Sequence, residues 1–112
     1  MLLLQPAIYG DLTGNQWVKF ADVLDISKRK FGMEPASVWS DIKEWEAVPG
    51  FVWMEEDMTL HISSLEKPKK FDQIYIPYQV ATKFFTQASN GIRNVRFDSE
   101  KQAHHFEWAK SS

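Results

Sequence analysis

The sequence predicts an α+β fold, on three observations. Apolar residues recur at helical spacing in several stretches, two runs of aromatic and β-branched residues flank a polar tip at residues 55 to 57, and strand-like alternation returns after residue 91. A chain of 112 residues, 44% hydrophobic and 14% aromatic, has material for one core, so residues 1–112 are read as a single domain.

The opening "MLLLQPAIYGD" has no basic leader, and its apolar run is broken by Gln5 and Pro6, so it is read as a buried first strand or packing arm. In "DLTGNQWVKFADVLDISKRKFG", Trp17, Phe20, Ala21, Leu24 and Phe31 follow helical spacing. Asn15 is the expected N-cap and Gly32 the expected left-handed stop, while Asp25 to Ser27 can interrupt the helix. "EPASVWSDIKEWEAVPG" predicts a second helix, with Pro35 in its first turn and Pro49 and Gly50 ending it. Its seam is Val38, Ile42 and Trp45, with Trp39 on the flank.

"FVWMEEDMTLHIS" predicts a hairpin whose alternation puts Phe51 and Trp53 on one face and Val52 and Met54 on the other. A polar connector, "SLEKPKKFDQ", leads to a short strand "IYIP" and a helix "YQVATKFFTQASNG" with an apolar stripe of Val80, Ala81, Phe84, Phe85 and Ala88. "IRNVRFD" then reads as a half-exposed strand with a local irregularity, and Ser99 as the cap of a last helix, "EKQAHHFEWAKSS". No repeat or low-complexity tract interrupts this order.

The order helix, turn, helix, then a hairpin directly after a "PGF" stop is carried by "FADVLDISKRKFGMEPASVWSDIKEWEAVPGFVWMEEDMTLHI". Over these residues, roughly 20 to 62, the chain resembles a winged helix-turn-helix. The resemblance implies a recognition helix at residues 35 to 47 and a wing at residues 51 to 62. The whole is then a winged-helix-like first half followed by β-α-β-α.

Charge bears on function more than topology does. The formal net charge is only −2, but residues 34 to 57 hold seven carboxylates (Glu34, Asp41, Glu44, Glu46, Glu55, Glu56, Asp57) against the single base Lys43. Such a face repels phosphates, so the implied recognition helix and wing are poorly suited to a duplex. The basic residues lie elsewhere, in Lys28, Arg29 and Lys30, in Lys67, Lys69 and Lys70, and in Arg93 and Arg96 with Lys101. If they converge, they form a nucleic-acid groove with Tyr75, Tyr78 or Phe97 available for stacking.

Catalytic and metal chemistry have little to stand on. The chain has no cysteine, so thiolate ligands, a Cys nucleophile and disulfides are excluded, which favours an intracellular, cytoplasmic setting. Adjacent His104 and His105 point about 100° apart on a helix, and His61 lies far off in sequence, so no metal site or cofactor is expected. His61 beside Glu55 or Asp57 is the one local acid–base candidate, Ser63 and Ser64 form no triad by proximity alone, and no phosphate loop is present.

Three of the five tryptophans fall between Trp39 and Trp53, among the carboxylates. Trp45 and Trp17 are expected in the core. Trp39 and Trp53, with Glu44, Glu55 and Glu56, are expected to form a protein-binding face, since interface hot spots favour tryptophan within a polar rim. The function read from the sequence is that of a non-enzymatic binding or regulatory protein, its partner a basic protein or a second copy of itself, with no membrane partner. The alternative is a nucleic-acid-binding regulator using Lys28, Arg29, Lys30, Lys69, Lys70, Arg93 and Arg96.

Overall fold

Val18 and Ile76 face each other across two antiparallel strands, both with no exposed surface, at the middle of an α+β fold. The computed structural model describes residues 8–10, 16–47, 51–62 and 68–109. Within these, strands β1 (Ile8–Gly10) and β2 (Gln16–Lys19) lead into helices α1 (Phe20–Phe31) and α2 (Pro35–Trp45). The hairpin β3 (Val52–Glu55) and β4 (Leu60–Ile62) follows, then a 3₁₀ turn at Phe71–Gln73, strand β5 (Ile74–Pro77) and helix α3 (Tyr78–Ser89). Strands β6 (Ile92–Asp98) and β7 (Ala103–Trp108) complete the described chain.

Strands β1 to β5 form one antiparallel sheet in the order β1-β2-β5-β3-β4, and β6 and β7 a separate two-stranded ribbon. Helix, turn, helix and hairpin occur in the expected order. The hairpin is no free wing, however, because β3 also pairs with β5, which lies between it and β2.

The helices start and stop for local reasons. Pro35 sits in the first turn of α2, where its missing N–H is harmless. Gly32 takes the left-handed conformation at φ 65° after α1, donating its N–H to the Lys28 carbonyl while Met33 donates to Ser27. Helix α1 runs unbroken through Asp25 to Ser27; the buried Ser27 hydroxyl donates back to the Val23 carbonyl at 2.7 Å.

Between helices and sheet lies a core of Val18, Phe20, Val23, Val38, Ile42, Ile74, Ile76, Ala81, Phe84 and Phe85. Its aromatic centre is Trp39, whose ring meets Phe20, Phe51, Trp53 and Phe71 at centroid distances of 5.0 to 5.9 Å. Aromatic pairs at such spacing add to the burial of apolar area itself.

Two expected elements are corrected. Residues 16 to 19 form a strand rather than the start of a helix, because pairing Val18 with Ile76 outweighs the helical spacing of Trp17 and Phe20. Trp17 is buried as expected, but from a strand. The expected last helix is strand β7, so the second half runs β-α-β-β. The Asp98 carboxylate accepts the N–H groups of Glu100 and Lys101 and bends the chain back into a hairpin, where Ser99 was expected to cap a helix. The expected irregularity in β6 is present as a register shift between Arg93 and Arg96, with Asn94 at φ 52°. Residues 1–7, Asn15, the Pro49–Gly50 stop, the connector through Lys67 and the C-terminal Lys110 to Ser112 lie outside the described residues.

Candidate functional site

Strands β3 and β4 place Trp53 directly opposite His61. Their rings stack at 3.9 Å with an interplanar angle of 5°, and Glu55, two residues along the same face, meets His61 Nε2 through Oε2 at 2.7 Å. Below the rings the Trp53 indole is only 3% exposed. Its Nε1 has no hydrogen-bond partner among the described residues, nor does that of Trp17.

The hairpin turns through Glu56, Asp57 and Met58. The Asp57 carboxylate accepts the Thr59 N–H at 3.0 Å, a contact that holds its pKa below the ordinary value. Between them Met58 takes φ 74°, a region that suits glycine or asparagine. Met58 and Leu60 are 51% and 44% exposed. One flank of the hairpin opens into a cleft of about 420 Å³, where Trp53, Glu55 and His61 face Lys69, Lys70 and Gln73.

The expected acid–base candidate, Glu55 with His61, is therefore assembled, at the edge of the cleft. The Glu55–His61 contact ties the diagonal of a short hairpin, and the indole fixes the imidazole plane. Ser63 and Ser64 lie outside the described residues. The other histidines are used elsewhere. His104 Nε2 lies 2.9 Å from the Glu44 carbonyl, and His105 lies 3.9 Å from Asp98 on the opposite face of β7. Among the described residues no three His, Asp or Glu side chains gather as metal ligands.

The expected acidic, tryptophan-centred binding face is divided by the structure. Trp39 and Trp53, 5% and 3% exposed, are core residues, and Trp53 reaches the surface only in the wall of the hairpin cleft. Trp39 is buried because α2 packs on two sides, its Val38–Ile42 seam and its flank both turned inward. Trp45, expected in the core, is half-buried and lies tilted against His104 and Phe106. Glu44 is also occupied, its carboxylate accepting the Phe97 N–H at 2.8 Å. Glu46 pairs with Lys83 at 2.9 Å. What remains at the surface is the hairpin tip with Glu55, Glu56 and Asp57.

Three of the seven basic candidates have local partners. Lys28 pairs with Glu34 and Arg29 with Asp25 in the last turns of α1. Arg93 is turned inward, donating to the Ala88 and Ile92 carbonyls and lying over the Phe31 ring. Lys30 and Arg96 are exposed on different elements, α1 and β6, while Lys69 and Lys70 border the hairpin cleft. Exposed Met58 and Leu60 were missed in the sequence, although a methionine beside three acids at a turn is the trace they leave there.

No helix among the described residues is long and apolar enough to cross a membrane. Compared with known proteins, the chain matches no family model, no characterised protein and no solved structure.

Proposed function

We propose that this chain is a non-enzymatic binding protein, acting inside the cell as a regulator through contact between its β3–β4 hairpin tip and a basic protein partner. The observation that supports this most is Met58. A non-glycine residue in the left-handed region gives up about 1–2 kcal/mol, and Met58, 51% exposed and outside the core, does not offset it by full burial. Glycine or asparagine serves the same turn with less strain. Methionine at this place is explained by a surface it covers in a complex, where its flexible side chain adapts to an apolar neighbour.

The surroundings fit that use. Leu60, two residues on, is a second exposed apolar residue, and Glu55, Glu56 and Asp57 give the tip an acidic character suited to a lysine- or arginine-bearing partner.

Glu56 is the carboxylate to test, because Glu55 and Asp57 both hold the hairpin together. The Glu56→Lys variant should keep the wild-type melting temperature and lose proteins that the wild type captures from a cell extract. That wild-type capture should weaken as salt is raised. Capture unchanged by the substitution and by salt contradicts the proposal.

A further inference from the structure

Strand β6 has two edges, and both are closed. One pairs with β7; on the other, the N–H groups of Val95 and Phe97 are taken by the carboxylates of Asp41 and Glu44 on α2, at 3.1 and 2.8 Å. Strand β7 differs: no described strand lies beyond it. Natural sheets commonly protect such an edge with lysine, proline or a bulge. "AHHFEW" contains neither lysine nor proline, the bulge lies on β6, and Phe106 and Trp108 are 38% and 66% exposed.

The ladder fixes which groups face outward. Ala109 donates its N–H to the Gly91 carbonyl, and Arg96 is opposite His105 while its neighbours Val95 and Phe97 direct their N–H groups to α2. By alternation, the backbone groups of His105 and Glu107 turn toward β6, and those of His104, Phe106 and Trp108 turn outward.

We propose that β7 is a self-pairing edge, through which two copies of this chain join antiparallel about a two-fold axis at Phe106. In that register Phe106 pairs with Phe106 of the second copy and His104 with Trp108, so all three outward-facing residues enter the ladder. On the other face His105 stands opposite Glu107 twice. Pair chemistry favours this register over its neighbours, because it alone sets a histidine against a carboxylate. A shift one way sets His105 against His105, and a shift the other way sets Glu107 against Glu107, a like-charge contact in the close, non-hydrogen-bonded position. The aromatic side chains agree, since Phe106 and Trp108 already meet edge to face at 5.3 Å and Trp45 lies against His104 and Phe106. Two ribbons joined this way make a four-stranded sheet with one aromatic face, an isologous contact that closes on itself. The proposal does not depend on the hairpin tip.

Sedimentation of the full chain over a concentration series tests it. The wild type should pass from monomer to dimer. His105→Glu should weaken the dimer about tenfold, by placing two carboxylates opposite each other twice. Glu107→Lys should also weaken it, and the double exchange His105→Glu with Glu107→Lys should restore it. Because the chain has no cysteine of its own, Phe106→Cys should form a covalent dimer on mild oxidation and Ser89→Cys should not. A wild type that stays monomeric at every concentration overturns the proposal. So does a dimer that neither single exchange weakens, because it then uses another surface.

Discussion

The Asp41 carboxylate accepts the Val95 backbone N–H at 3.1 Å, joining α2 to β6 across 54 residues of sequence. Glu44, one turn further along the helix, does the same for Phe97. Two acids that read as charged surface are thus the means by which a helix closes a strand edge.

Removing the first of them should destabilise the fold. Asp41→Ala leaves the Val95 N–H buried without a partner and is expected to lower unfolding stability by about 1–3 kcal/mol, measured by urea denaturation. Asp41→Asn keeps an accepting oxygen and should lose less.

The same residue gives stability a dependence on pH. Burial raises the Asp41 pKa above its ordinary 3.8; the Val95 and Asn94 backbone and nearby Arg93 oppose the shift, and Glu44 adds to it. The folded state therefore holds the proton more tightly than the unfolded chain does. This contribution is fully present below pH 3.8 and is lost as pH rises through the higher folded value. In denaturation at successive pH values, wild type minus Asp41→Asn should show stability falling with pH over that window.

Trp39 separates core from surface. Trp39→Ala is expected to cost about 3–5 kcal/mol, because its ring touches four other aromatic side chains at the centre of the core. A surface anchor would leave the melting temperature near that of the wild type.

Much of this architecture was legible in the sequence, where the determining contacts are local. Gly32, Pro35 and the alternation of Phe51 and Trp53 with Val52 and Met54 each specify an element through their own backbone or period. The misread elements are set from a distance. Residues 100 to 109 contain good helix formers, and Ala103 and Phe106 share a helical spacing, yet His104, Phe106 and Trp108 follow a period of two that only pairing with β6 selects. The acidic face was legible as composition but not as geometry. Nothing local in "WSDIKEWE" tells that Asp41 and Glu44 turn toward a strand fifty residues later, or that Trp39 turns inward between two packed surfaces.

Gln102 offers a comparison for Met58. It also takes a left-handed conformation, at φ 51°, in the turn between β6 and β7. Gln102→Gly should raise stability by as much as about 1 kcal/mol by relieving that strain, and should leave partner capture as it is. A loss of stability in thermal denaturation would show that the glutamine side chain matters more than its backbone.

The most direct measurement is Met58→Gly, scored at once for melting temperature and for capture of proteins from a cell extract. Contact through the hairpin tip predicts a melting temperature equal to or above that of the wild type, with capture reduced. Capture at the wild-type level would contradict it, and would leave the exposed methionine without a function in binding.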